Sequence, residues 1–383
     1  MNILVIGNGF DLAHGLPTTY QDFLKFTDSY ISYKTTITEE LLQEVKNLVN
    51  NNGWIKYFKN YYDGRGWIDF EREISNVIQM VDKAKLRNGE QKQKGSEYIR
   101  FNFKEIETLV YFNQIVKQGT FFDMDPISEI NKCMQRDLNN LIRCLEIYLD
   151  AYINQFSVEL LSPDIQKLTI DKVLSFNYTN TFARLYNLSG SNNIEYDYIH
   201  GKADIHNTIE TNNMVLGIDE YLPDDRKSKD VEFIAFKKYY QRIYKETGCK
   251  YKEWIDEIKQ DYFEYENKKV DADRINNKYE PDKLKAKLNH SVAAAMRNLK
   301  CCKHNLYIFG HSLNETDGDI LRELILNDNV HTTIYYHNKE AMGQQIANLV
   351  KVIRQDELIR RTGGNTKTIE FKQQQDMVPI EGL

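Results

Sequence analysis

Two residues of this 383-residue chain combine into a recognisable piece of chemistry. Asn177 stands in Ser175-Phe176-Asn177-Tyr178-Thr179-Asn180 and His200 in Ile199-His200-Gly201, each just after a short strand-like run. An asparagine amide can hold a sugar and an attacking water in register. An imidazole titrates near neutrality, so it can take the proton that the water sheds. Together they suit glycosyl transfer, which passes through an oxocarbenium-like state. In open α/β sheets ligands bind at the carboxyl ends of strands, where both residues are expected. A histidine before a glycine also serves ordinary turns, so residue type alone leaves both readings open.

A second constellation lies at the amino terminus: Ile6-Gly7-Asn8-Gly9-Phe10-Asp11, then Gly15-Leu16-Pro17-Thr18-Thr19-Tyr20. Glycines straight after a buried strand let the backbone approach a pyrophosphate, and a following helix adds its dipole. Gly7, Asn8, Gly9, Phe10, Asp11, Pro17, Thr18 and Thr19 are the candidate dinucleotide contacts, with Pro17 stiffening the loop. Leu12 stands where a third glycine would complete the dinucleotide fingerprint. A plain strand-to-helix turn would read the same way.

The elements that must position these residues are short apolar strands separated by helices. Runs at 2–6, 172–176 (KVLSF), 214–218 (MVLGI), 305–309 (NLYIF), 332–337 and 368–371 read as strands. Helical spacing fills 39–50, 69–85, 127–160 and 283–299, while 265–287 is polar enough for an exposed loop or frayed helix. The pattern predicts an α/β fold with a Rossmann-like, mainly parallel sheet. One domain over 1–383 is expected, carrying large helical insertions at about 22–171 and 233–300.

Composition narrows the function classes. Hydrophobic residues make up 41% and charged residues 28%, as in a globular protein with a sizeable core. A formal net charge of −6 gives no footprint for a nucleic-acid backbone. No apolar run approaches the roughly 20 residues that span a bilayer, and no secretion signal is visible. The five cysteines, Cys133, Cys144, Cys249, Cys301 and Cys302, contain no CxxC pair, so neither a metal site nor a disulfide framework is expected. A cytoplasmic protein with idle thiols is the expectation. His14 reads as a backbone contact, and His206, His290, His304, His331 and His337 as structural or exposed.

The stretch GNGFDLAHGLPTTYQDF resembles the opening signature of the bacteriophage abortive infection AbiH family. WIDFE, FNYTNTF, IHG, LGID and GHSLNETD follow in the order and spacing of that family, so the resemblance runs from Asn2 to about Ile353. A narrower part is similar to sirtuins: Gly-x-Gly with Gly-Leu-Pro, the Asn177 and His200 pair, and Gly310-His311-Ser312-Leu313. That resemblance implies a sirtuin-like NAD-binding core. Asn177 and His200 would be catalytic, Ser312 would touch the cofactor's ribose and phosphate, and Asn338 would face the adenosine end. Asp317 matches an acid that the family places after this loop, though it would also cap a helix over 318–326. Asp69 and Glu71 of WIDFE would enter the pocket from above, or would form a surface pair at a helix start. The sirtuin four-cysteine zinc module has no counterpart after Gly201, which argues against protein deacetylation. Two positions depart from sirtuins, Asp11 for a serine and Thr179 for an aspartate.

The resemblance implies antiphage defence by a sirtuin-like NAD glycohydrolase, with NAD as substrate and no metal. The alternative is a non-catalytic nucleotide-binding sensor or interaction module. A homo-oligomer, a phage-derived trigger or a partner defence protein would accompany either, whereas membrane and nucleic acid would not.

Overall fold

The computed structural model describes residues 1–33, 37–61, 69–93, 101–112, 126–187, 193–278 and 303–380. The expected helix over 283–299, Trp67, Ile68, His290, Cys301 and Cys302 lie outside these residues.

A six-stranded sheet forms the centre. Its strands are β1 (Asn2–Ile6), β3 (Lys172–Ser175), β4 (Glu195–Tyr198), β5 (His304–Phe309), β6 (Val330–Tyr336) and β7 (Ile369–Gln373). A separate pair joins β2 (Leu160–Leu161) to β8 (Val378–Pro379) in antiparallel fashion. The spatial order is β4-β3-β1-β5-β6-β7 and all five pairings are parallel. Counted along the chain this is the doubly wound Rossmann order, which reverses direction between β1 and β5.

The reason lies in the strands' apolar runs. β1 is Asn-Ile-Leu-Val-Ile, buried from Ile3 onward. Alternation sends Ile3 and Val5 to one face, where they meet Leu306, Ile308, Trp254 and Ile320. Leu4 and Ile6 face the other side with Phe10, Ile165, Val173 and Phe309. A strand apolar on both faces requires helical cover on both, as parallel sheets do.

In its described residues the long connection from β1 to β3 is mostly helical, and it builds a third core. Phe70, at the start of helix Phe70–Gln93, is stacked between Tyr20 (4.1 Å, 10°) and Phe58 (4.0 Å, 7°). Helix Pro126–Ile147 runs on into a π turn, Tyr148–Tyr152, whose Tyr148 hydroxyl donates to the Pro17 carbonyl. The connection from β4 to β5 holds helices Lys238–Tyr244 and Tyr251–Lys278. The latter covers the described part of the segment expected as an exposed loop or frayed helix. Among the described residues no helix is long and apolar enough to cross a membrane.

One expected strand is absent. Met214–Ile218 is buried but joins the sheet nowhere, making one isolated bridge from Ile218 to Lys237. Its backbone is satisfied elsewhere: the Gln241 side chain accepts from Leu216 N (3.1 Å) and donates to Leu216 O (3.1 Å). Val215 N donates to His200 O at 2.8 Å. Burial made the run apolar, and a side-chain amide took the place of a neighbouring strand.

The loops after β1 and β5 interlock. Gly9 N donates to Gly310 O at 2.8 Å. Gly310 has φ +68°, and a Cβ there would lie 2.1 Å from Phe10 N. Gly310→Ala should therefore destabilise the fold by about 2–4 kcal/mol. Gly15 has φ +76° but open space around it, so Gly15→Ala should cost only about 1 kcal/mol. Urea midpoints of the two variants check the contrast, and equal losses would refute it.

Candidate functional site

Asn177 and His200 are the second residues past β3 and β4, whose last paired residues are Ser175 and Tyr198. The parallel register thus sets them abreast at the carboxyl ends of adjacent strands. Ser175 shapes the first turn: its Oγ accepts from Asn177 N (3.1 Å) and donates to Asn177 O (3.0 Å). Gly201 follows His200 with φ +77°, and a Cβ there would strike Asn213 O at 2.1 Å. The loop beyond is held by the helical connection, with Ile205 N donating to Asp150 Oδ2 at 2.8 Å.

The His200 ring is buried against Phe176 (centroids 5.7 Å). Its Nε2 faces Asp317 Oδ1 at 3.4 Å, and its Nδ1 is buried with no partner. A carboxylate at Nε2 favours the proton there, leaving the Nδ1 lone pair free to act as a base. Burial, relieved in part by Asp317, pushes the His200 pKa down to about 4, so the ring is neutral at physiological pH.

Asp317 is the hub of the site. Besides His200 it faces His311 Nε2 (3.5 Å) and Lys238 Nζ (3.5 Å, to Oδ1). His311 Nδ1 accepts from Leu313 N at 2.9 Å, which places that ring's proton on Nε2, toward Asp317. Burial would raise the Asp317 pKa, but Lys238 and the two imidazoles hold it well below the usual carboxylate range. The carboxylate makes no capping bond to helix Gly318–Ile325, so the capping alternative is not realised.

Lys238 is buried and extends from the crossover helix to Glu71 Oε2 at 2.7 Å. Glu71 is raised to about 7 by burial, against the pull of Lys238. Asp219, close enough to feel Lys238, is raised to about 6 by burial. The two acids of WIDFE thus part company. Asp69 accepts from Arg72 N (3.0 Å) and caps the helix, while Glu71 enters the site.

Asp11 lies on the β1 side, buried, with Oδ2 accepting from Thr179 Oγ1 at 2.6 Å and Oδ1 without a partner. Burial raises its pKa to about 6, opposed chiefly by Thr179. Thr179 and Asp11 are the two departures from sirtuins, and here they bond to each other. Asn177 Nδ2 is likewise buried without a partner. It favours the charged form of Asp11, although no hydrogen bond of normal geometry joins the two.

The remaining candidates scatter more widely. Gly7 and Gly9 pack onto Gly310 and His311, so the space their missing side chains leave is filled by the β5 loop. Phe10 packs among Phe182, Tyr186 and Phe309 in the core. Asn8 Oδ1 accepts from Thr18 Oγ1 at 2.7 Å, bridging the two arms of the loop. Thr19 caps helix Tyr20–Ser29 and Asn338 caps helix Lys339–Ile353. Ser312 is exposed beside the site. His14 contacts the backbone as expected, its Nδ1 lying 2.7 Å from Phe10 O. Among the described residues no group of three metal-type ligands forms.

Sequence reasoning missed Lys238, Asp219 and His311 as site members. His311 and Asp219 lie inside GHSLNETD and LGID, so a motif signal existed for both, whereas Lys238 belongs to none.

The fold and site define a doubly wound α/β protein with a buried polar centre at the carboxyl ends of β4, β3, β1 and β5. The family described as bacteriophage abortive infection AbiH matches residues 3–337, and the chain belongs to it. Its role accordingly lies in phage abortive infection. No curated protein and no solved structure matches the chain.

The buried Asp11 supplies a pH test. Its folded pKa is raised, so its contribution is fully present below 3.8 and is lost as pH rises through about 6. Parent and Asp11→Asn should therefore diverge with rising pH, the parent losing roughly 3 kcal/mol relative to the variant between acid and neutral solution. Urea unfolding of both proteins across that range checks it. A constant difference would show that Asp11 titrates normally.

Proposed function

We propose that the protein acts in phage defence as an NAD glycohydrolase, cleaving NAD to nicotinamide and ADP-ribose. One observation carries the reading. His200 Nδ1, Asn177 Nδ2 and Asp11 Oδ1 are buried polar atoms without partners, at the ends of three adjacent strands. Buried polar groups are nearly always satisfied, so unpartnered atoms beyond adjacent strand ends support a place for a polar ligand there. One donor and two acceptors suit a hydroxylated sugar and a water. The motif likeness to sirtuins at Asn177, His200 and Ser312 supports NAD as the source of that sugar.

Asn177 holds the ribose and the attacking water. The water oxygen bonds to the anomeric carbon as the bond to the pyridinium nitrogen breaks, its electron pair leaving with nicotinamide. His200 Nδ1 takes the proton from the water, and Asp317 stabilises the imidazolium that forms. Gly9 N–H is engaged by Gly310 O, so phosphate recognition falls to other groups, with Asn8, Thr18 and Ser312 the nearest candidates.

Nicotinamide release by the purified chain tests this, beside Asn177→Ala and His200→Ala. Each variant should lose about a hundredfold or more in turnover. Saturable NAD binding without turnover would favour the sensor reading instead. Neither binding nor turnover, even in phage-infected cells, would end the NAD reading.

A further inference from the structure

The insertion between β1 and β3 reaches the imidazole through an unbroken line of charge. Helix Phe70–Gln93 brings Glu71 to Lys238 at 2.7 Å, and Lys238 lies 3.5 Å from Asp317 Oδ1. That same Oδ1 is the atom His200 Nε2 faces at 3.4 Å. Lys238 and His200 therefore face one oxygen, with Glu71 the closer partner of the ammonium.

We propose that Lys238 is a positioning residue through which Glu71, carried by the helical insertion, sets the tautomer and basicity of His200. With Glu71 charged, Lys238 is held away from Asp317 and His200 keeps Oδ1 as its acceptor. With Glu71 neutral or withdrawn, Lys238 turns its whole charge on Asp317, and His200 loses the contact that fixes its proton on Nε2. The inference rests on the reading of His200 as the base. It makes that base answer to the position of the insertion.

The surrounding charges are few. His200 faces Asp317, with Lys238 and Arg242 adding positive potential. Lys238 faces Glu71, Asp317 and Asp219, and their attraction raises its pKa despite burial. Glu71 feels Lys238, Asp317 and Asp69. Arg242 sits 3.9 Å from Asp319, near the surface. Burial, against the pull of Lys238, raises Glu71 to about 7. Asp219, raised to about 6 by burial, is the other acid facing Lys238, while the close ion pair is the one with Glu71.

The test is a proton and nitrogen NMR titration of the full chain with labelled histidine, His200 being assigned from a His200→Gln spectrum. In the parent at about pH 8, His200 should be the Nε2–H tautomer. Glu71→Gln should abolish that preference at the same pH. Lys238→Met should retain it and raise the His200 pKa by about one unit or more, a tenfold gain in proton affinity. Should Lys238→Met alone fail to fold, the double variant Glu71→Met/Lys238→Met removes both partners together, and the same rise is expected. An unchanged His200 in either arm overturns the proposal. If the parent cleaves NAD, the acid limb of its pH profile must move with the His200 pKa in the Lys238 variant. A shifted His200 without any NAD cleavage would sink the glycohydrolase reading and leave the relay standing. Cleavage with an unmoved His200 would do the reverse.

Discussion

A carboxylate shut away from water must be met by donors, and the buried charge of Asp317 is the constraint on which this site depends. An isolated buried carboxylate would protonate rather than pay the full desolvation cost. Three donors prevent that, from the turn after β4, the loop after β5 and the crossover helix between those strands. Satisfying one side chain therefore draws together residues that lie far apart in the chain. The same arrangement gives His200 its directional character, since the atom turned to Asp317 leaves the other ring nitrogen facing inward.

The insertion takes part in this centre rather than decorating the sheet. Stacking of Phe70 between Tyr20 and Phe58 fixes where helix Phe70–Gln93 begins, and so where Glu71 points. The Tyr148 hydroxyl, at a π turn, holds the Pro17 end of the glycine loop. Local π geometry of this kind often accompanies function because it offsets a side chain from the regular helical ladder. Burial, opposed by Lys238 and reinforced by the neighbouring acids, makes Glu71 and Asp219 hold protons more tightly than usual.

Much of the sheet was legible because apolar runs such as NILVI and NLYIF cannot be placed anywhere but between two layers of helix. MVLGI obeys the same rule of burial, yet Gln241 satisfies its backbone, and nothing in a short apolar run distinguishes a strand from such a connection. At the site, Asn177 and His200 were legible from their place after strand-like runs. Lys238 was not, since an ion pair between residues so distant in sequence leaves no local pattern. Capping explains two other differences in emphasis. Thr19 and Asn338 carry side chains suited both to ligands and to helix starts, and the structure uses them at helix starts. Asp317 went the other way, a residue typical of caps whose carboxylate turns inward.

The clasp between Gly9 and Gly310 bears on how the protein is made. β1 leaves the ribosome long before its neighbour β5 and the acid at 317. Contacts so distant in sequence form late, after the intervening chain has been ordered. A ribosome-bound fragment ending before β5 carries Asn177 and His200 but lacks the strand that closes β1 and the carboxylate that orients the imidazole. Synthesis itself thus keeps the centre unassembled until β5 and the loop after it have emerged, and products terminated before them carry an unfinished one.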